Sequence, residues 1–531
     1  MSHVLIAPVI LPAVIGALII LWMRADLLLQ RVFSIAGTAA LLAVAIYLNV
    51  LAASGQVQVY RLGDWAAPFG IVLMLDRLSA LMVALTATLA LAVQLYAFGS
   101  GWDRKGWHFH ALWQFQLMGV CGAFLTGDAF NLFVFFEVLL IASYGLMIHG
   151  GGPMRLRAGV QYIAYNLAGS TLFLVALGVL YAVTGTLNMA DMAARVAVMP
   201  VEDTALLRTG AVLLMLVFAI KASLVPLHFW LPSTYANAPG PVAALFAVMT
   251  KVGVYAILRF YTLVFPQDTV IESVVMDLLL PAALFTLAIG QIGIMGTRNL
   301  GRLAAYAAIG SVGTLMIAVS QFTPQGTTAA IYYIIHSTLA GAALFLIVDM
   351  IGARRGDLWL RLDTVMPGNA LIGAMFFVTA IAVVGMPPFS GFIGKLLVLD
   401  ATRTAPQVVW IWATVLVSSL IAIYGMVRAG SLVFWKPYGL QERPVPHEPA
   451  LLPSRGRRIP TKLEPDEHIQ DLGDAASPAL AAVAVGALLA GIVALTVFAG
   501  PVTQFARATA DQLHNPALYL HAVLEGQEGT K

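Results

Sequence analysis

The sequence predicts an all-α polytopic membrane protein of about fourteen transmembrane helices, with two inverted five-helix repeats that each contain a broken helix. Three observations predict it. Of 531 residues, 60% are hydrophobic and only 10% charged, whereas a soluble domain carries about 25% charged residues. Apolar runs long enough to cross a hydrocarbon core about 30 Å thick as helices recur along the chain, without the alternating polarity of a β-barrel. Two of these runs, five spans apart, carry proline and lysine together in their middles.

The first run, residues 4–23, lacks a basic leader and a small-residue cleavage site, so it reads as a retained span. With runs at 32–53 and 70–98 it forms an N-terminal unit, residues 1–106. Runs at 110–127, 129–149, 159–183, 211–232 and 240–264 make the first repeat, residues 107–268. Runs at 274–296, 302–320, 327–352 and 369–400 carry the second repeat to residue 405, and helix 13, residues 406–436, completes it. The run at 369–400 is longer than one straight crossing needs, which predicts a broken or strongly tilted helix. Residues 437–478 hold eight prolines and the clusters RGRR and EPDEH, and read as a flexible cytoplasmic loop. A last span at 479–500 leads into a tail, the two forming residues 479–531.

Lysine and arginine set the orientation. The odd-numbered loops hold 17 of them and the even-numbered loops five: Arg61, Arg195, Arg208, Arg259 and Arg403. The positive-inside rule then places the odd loops in the cytoplasm and both chain ends outside. The net charge of +3 and the single cysteine, Cys121 within an apolar run, exclude a nucleic-acid surface and an internal disulfide framework. The sequence shows no HExxH, no CxxC and no His/Cys cluster at metal-ligand spacing, so neither metal nor cofactor is expected. The segment GFIGKL resembles the end of a phosphate loop, but Phe389 stands where the first glycine belongs and leucine follows the lysine.

Against this background the ionisable residues inside the spans stand out. Glu137 lies in FNLFVFFEVLLIASYGL, and the basic residues at membrane depth are Arg77, Lys221, Lys251 and Lys395. A lysine at the bilayer centre costs about 2.5–3.5 kcal/mol on insertion scales. Three together approach the whole net stability of a typical domain, about 5–15 kcal/mol. One reading is structural, each lysine pairing with a carboxylate to hold helices together. The other is a row of proton-handling groups, favoured because the charges sit on several different spans.

Lys221 opens KASLVPLHFWLPSTYANAPG, where Pro226 removes a backbone donor mid-span and so breaks or bends the helix. Freed carbonyls are tolerated at that depth only against protein or water. His228 follows the break, and reads equally as a relay member or a satisfied buried histidine. In the twelfth span GMPPFSGFIGK repeats the device, with Pro387 and Pro388 just ahead of Lys395. An odd number of spans per unit turns the two units opposite ways in the bilayer, which points to an inverted-repeat transporter with its pathway at the midplane. Lys251, in VMTKVGVYAI, and His336, in IYYIIHSTLAGAALF, lie on the neighbouring spans. A histidine titrates near neutral pH, so a row alternating these groups can pass protons. Asp76 and Arg77 are adjacent and point different ways, with structural and functional readings both open. Asp349 and Asp400 are expected at interfaces.

The blocks TGDAFNLFVFFEVLLIASYGL, FAIKASLVPLHFWLPSTYANAPGPVAALFAVMTKVGVY and GMPPFSGFIGKLLVL resemble the antiporter-like subunits shared by respiratory complex I, membrane-bound hydrogenases and Mrp cation/proton antiporters. Within that family the phrasing is most similar to the D-type branch of the Mrp (Pha or Mnh) systems. The resemblance implies that Glu137, Lys221, Lys251, His336 and Lys395 form a proton relay, coupled to sodium or potassium movement elsewhere in a complex with A, B, C, E, F and G type membrane subunits. It also implies a bacterial inner (cytoplasmic) membrane, a role in pH homeostasis, and a secondary transporter with no cofactor of its own. The alternatives are a proton-pumping subunit of a redox complex and a structural scaffold. One departure matters: many relatives carry a lysine a few residues after the eleventh-span histidine, where this chain has HSTLAGAALFL.

Overall fold

A computed structural model describes residues 3–200, 204–265, 270–437 and 477–525. Helices α1 (Ala7–Trp22), α2 (Leu27–Ala52) and α3 (Arg77–Ser100) form the N-terminal unit. Next come α4 (Phe109–Leu125), α5 (Ala129–Met147), α6 (Pro153–Thr184) and a short amphipathic α7 (Met189–Ala197). The seventh span is two pieces, α8 (Ala205–Ala222) and α9 (Trp230–Asn237), followed by α10 (Gly240–Leu263). The second half runs through α11 (Val270–Gly296), α12 (Leu300–Val319) and α13 (Pro324–Arg355). Then come the pieces α14 (Asn369–Val384) and α15 (Ser390–Ala401), and α16 (Val408–Gly430). After α17 (Pro478–Val497) come α18 (Ala499–Leu513) and α19 (Ala517–Leu520).

Twelve helices are long and apolar enough to cross a membrane among the described residues. Helix α4, at 17 residues, and the interrupted α14–α15 bring the crossings to the expected fourteen. Helix α4 is diluted by Gln114, Gln116 and His110, all buried, so it meets protein and not lipid. The expected loop at 437–478 falls almost wholly outside the described residues.

The helix starts follow from sequence. Side-chain oxygens of Asp26, Asp128, Asn299, Thr323 and Ser477 each accept a backbone N–H of the first turn, and Asp76 with Ser79 completes a capping box on α3. Each cap satisfies a donor that would otherwise be bare at the membrane face. Helix α10 is buried along its whole length, while only 28% of the most apolar window of α16 is buried. So α10 is the central post, and α16 offers Val409, Trp410, Leu416, Leu420 and Tyr424 outward.

The two halves share a backbone signature. Ala129 N–H bonds Leu187 O at 2.8 Å and Met189 N–H bonds Gly127 O at 3.0 Å, clamping the start of α5 to the end of α6. Leu300 N–H bonds Leu358 O, and Leu360 N–H bonds Arg298 O, both at 2.8 Å, clamping α12 to α13 in the same pattern. Every partner is displaced by 171 positions, as are the bounds of α6 and α13 (153 to 324, 184 to 355). Five crossings separate the two clamps, so they lie at opposite faces of the bilayer.

The helical class carries one addition. Ahead of α3, β1 (Gln58–Arg61) pairs antiparallel with β2 (Val72–Leu75), in register Gln58↔Leu75 to Arg61↔Val72. This short apolar strand merged with the helix in the expected span at 70–98. Two placements need correction. Arg77 is not at membrane depth; it opens α3 and donates to Ala53 O at 2.6 Å. Arg259 is not a loop base: it is buried in α10 and pairs with Asp76 at 2.6 Å. Arg77 joins the even-numbered loops as Arg259 leaves them, so the charge contrast behind the expected orientation is unchanged. Asp349 lies part-buried near the end of α13, where it accepts from Tyr96 (2.8 Å) and Trp102 (2.9 Å). Asp400 is exposed as expected, beside Arg403 at 3.1 Å.

The bundle has a second buried ion pair. Arg31 grips Asp103 through Nε at 2.6 Å and Nη2 at 2.9 Å, and His110 Nε2 lies 3.2 Å from the same carboxylate. Burial alone would raise the Asp103 carboxyl, but hydrogen bonds from His110 and Arg31 and the Arg31 charge outweigh it and hold it below the ordinary carboxylate range. A depressed carboxyl contributes stability that is present above its unfolded value, about 3.9, and is lost as pH falls through the folded one. Asp103→Ala leaves Arg31 buried and unpaired, so it is expected to cost about 3–5 kcal/mol. Thermal melting of the purified assembly at neutral pH should show a clear drop, and the wild-type advantage should vanish only in acid below about pH 4.

Candidate functional site

The site begins with two helices that stop inside the membrane. Helix α8 ends at Ala222, four positions before Pro226, because Ser223 turns left-handed (φ 62°) and Leu224 N–H closes on Ala219 O at 2.9 Å. The proline therefore keeps the helix from resuming but does not end it. The carbonyl of Ile220, which accepts from Ser223 N–H at 3.1 Å, also takes Trp230 Nε1 at 3.1 Å from the start of α9. Helix α14 ends likewise at Gly385 (φ 82°), ahead of Pro387 and Pro388, and its freed carbonyl at Val384 accepts Lys395 Nζ at 2.6 Å. A Cβ at Gly385 would stand 2.7 Å from Lys395 Cδ, so only glycine admits this approach.

The five candidate residues occupy five helices. Among the described residues no ion pair joins Glu137 to Lys221; both are held from α6 instead. Ser170 donates to the half-buried Glu137 carboxylate, and Lys221 Nζ donates to Asn166 one turn away at 3.2 Å. Glu137 still acts electrostatically on Lys221, whose ammonium also lies 5.7 Å from the Phe136 ring. Gly253 lets α10 press against the end of α8, where a Cβ would lie 2.7 Å from Ala222 N and 3.1 Å from the Lys221 carbonyl carbon. Lys251, two residues earlier on α10, is 1% exposed, and its amine lies 3.4 Å from Thr250 Oγ1. That contact stays within one helix and ties the amine to no other element.

His336 lies within electrostatic reach of both Lys251 and Lys395. Its Nδ1 is 2.9 Å from Ser390 Oγ at the start of α15. Lys395 donates to Ser419 Oγ on α16 at 2.7 Å besides its bond to Val384 O. A cavity of about 20 Å³ borders His336, lined by Ser311, Ser337, Ala340 and Gly341 among others. One water needs about 10–15 Å³, so these small residues leave room for water beside the hydroxyls of Ser311 and Ser337.

The secondary residues sort differently. His228 is buried in the linker between α8 and α9, with Nδ1 unpartnered among the described residues. Asp76 and Arg77 stay apart from the row, Asp76 bound to Arg259 and Arg77 to Ala53 O. Sequence reasoning passed over Asn166, Ser170, Ser390 and Ser419, the groups that join charged members to neighbouring helices. The signal for the first two was available: a polar pair at i and i+4 within an apolar span.

Comparison with known proteins follows the same lines. A family model described as NADH:quinone oxidoreductase/Mrp antiporter, TM, matches residues 126–422. The D-type subunit of a probable K(+)/H(+) antiporter from Rhizobium meliloti is 37% identical across 99% of this chain and 98% of that one. The D-type subunit of the Na(+)/H(+) antiporter from Bacillus subtilis is 39% identical across 82% and 87%. Among solved structures, a chain of the Mrp complex from Dietzia sp. DQ12-45-1b superposes with a TM-score of 0.84 at 28% identity, covering 99% of this chain and 100% of that one.

The Gly385 contact gives a test with an internal control. Gly385→Ala meets both a left-handed backbone, costing about 1–2 kcal/mol, and the Lys395 stem. Gly368→Ala meets the backbone cost alone, since φ is 74° and the nearest atom lies at 3.9 Å. Both variants should melt a few degrees lower, but only Gly385→Ala should abolish transport in vesicles.

Proposed function

This chain belongs to the NADH:quinone oxidoreductase/Mrp antiporter family, and we propose that it is the proton-translocating, D-type subunit of a multisubunit monovalent cation/proton antiporter. The observation that carries this reading is the pairing of two interrupted helices, each delivering a buried lysine to a polar partner on a neighbouring helix. Buried lysines with hydrogen-bonded neighbours and water-sized space can change protonation without leaving the protein, which a purely structural pair does not require.

In this reading a proton passes between Glu137 and Lys221 by way of Ser170 and Asn166, and on to Lys251. It then moves through His336 with the water beside it, and by Ser390 towards Lys395. His228 tunes the first break. Each hop changes the charge beside the next group, so neighbouring helices feel one another's protonation. Residues 107–268 and 269–436 are the two working repeats, residues 1–106 and 479–531 brace them, and 437–478 is a cytoplasmic tether. Both chain ends lie on the outer side of a bacterial cytoplasmic membrane. Partner subunits of A, B, C, E, F and G type supply the sodium or potassium path. Moving one charge against 100 mV costs about 2.3 kcal/mol, so proton entry can drive cation exit. This is vectorial transport and not bond-making catalysis.

The test is dye-monitored antiport in everted vesicles carrying the complete complex, with sodium and potassium compared. Glu137→Gln, Lys221→Ala and Lys395→Ala should each lower the rate by about tenfold or more, a barrier change of about 1.4 kcal/mol. Subunit ratios in the purified complex should stay unchanged. Full antiport in all three variants would refute the relay, and loss of assembly alone would favour a scaffold.

A further inference from the structure

The row described so far runs along the membrane and leaves Lys251 without an exit to either face. Helix α10 carries further polar residues beyond it. Tyr255 and Arg259 follow Lys251 at four-residue intervals, so the three side chains share one helix face and rise about 6 Å per step. All three are buried. Tyr255 donates to Phe124 O at 2.6 Å and accepts from Arg259 Nη2 at 3.2 Å, while Arg259 Nη1 holds Asp76 Oδ2 at 2.6 Å.

The stripe ends at the C-terminal segment. A cavity of about 10 Å³ is lined there by Asp76, Arg259, Thr262, Gln512 and Tyr519 among others, close to the space one water needs, about 10–15 Å³. Gln512 ties α18 across this mouth: its Oε1 accepts from Arg77 N–H at 3.0 Å and its Nε2 donates to Gly55 O at 2.9 Å. Tyr519 is 5% exposed, and its hydroxyl has no partner among the described residues. A buried phenol left without a partner costs about 1–3 kcal/mol, so water in the adjoining cavity is the natural acceptor. An ion pair serving only to tie α3 to α10 would require neither the cavity nor a second hydroxyl aimed at it.

We propose that this stripe is the outer half-channel of Lys251, in which Asp76 exchanges protons with water at the mouth and the segment Ala499–Leu520 forms its cover, with Tyr519 completing the bonds of the transiting water. The inference rests on the proton-translocating reading and adds which face Lys251 serves and by what route. The space for a single water is too small for a hydrated metal cation, so the traffic is protons.

The experiment uses the complete complex in sealed vesicles of both orientations, with Cys121→Ala as background and Thr262→Cys as the reporter in the cavity wall. A membrane-impermeant thiol reagent is applied from one face at a time. With Tyr519→Ala added, labelling should come from the outer face only, at least about tenfold faster than with Tyr519 intact, and should arrest antiport. Tyr519→Phe, which keeps the ring and loses the hydroxyl, should slow antiport severalfold in a normally assembled complex. Labelling from the inner face, no labelling in the Tyr519→Ala background, or undiminished antiport in Tyr519→Phe would each overturn the proposal. Sidedness of labelling is read independently of transport. A wild-type complex without cation-dependent proton movement would therefore count against the antiport reading and be seen separately from failure of the outlet.

Discussion

Everything in this protein answers to one constraint: inside the bilayer no backbone carbonyl, amide or charge can turn to water, so each must find its partner in the protein. The interrupted helices show it most plainly. Where α8 and α14 stop midway, the chain supplies a side-chain donor to the carbonyls of Ile220 and Val384, Trp230 in one half and Lys395 in the other. In the second half the donor is itself the ionisable group. The helix break and the buried charge are therefore mutual solutions: the carbonyl stabilises the lysine, and the lysine satisfies the carbonyl.

The same constraint explains why the bundle is built around α10. A helix carrying Lys251 and Arg259 cannot face lipid, and burial of its whole length is what makes those residues tolerable. Apolar helices such as α16 then take the lipid-facing positions. The clamps at Ala129–Leu187 and Leu300–Leu358 close off chain ends that would otherwise present bare backbone at the two faces.

How far the sequence foretold this differs from element to element. The broken helices were visible because proline and lysine are costly in an apolar run and occurred together twice. What ends those helices was not visible: left-handed turns at Ser223 and Gly385 precede the prolines, and a serine gives no sign of adopting positive φ. Arg259 was misplaced because it is near a helix end in sequence, whereas its partner Asp76 lies 183 positions away. The β1–β2 hairpin was hidden in apolar residues that suit strand and helix alike. The hydroxyl and amide partners at Asn166, Ser170, Ser390 and Ser419 carry no charge, so cost-based reasoning overlooked them. Which charged residues come near one another depends on tertiary packing such as the Gly253 contact, which no periodicity encodes.

The 171-residue correspondence between the halves has an electrical side. Because an odd number of crossings separates the clamps, the two halves stand head to foot in the membrane potential. A given shift of the Lys221 ammonium along its own helix and an equal shift of Lys395 along α15 carry charge in opposite senses through that field. Concerted movement of both would be nearly silent to voltage, whereas movement of one before the other would register as a transient current, so the polarity of that current would report which half leads.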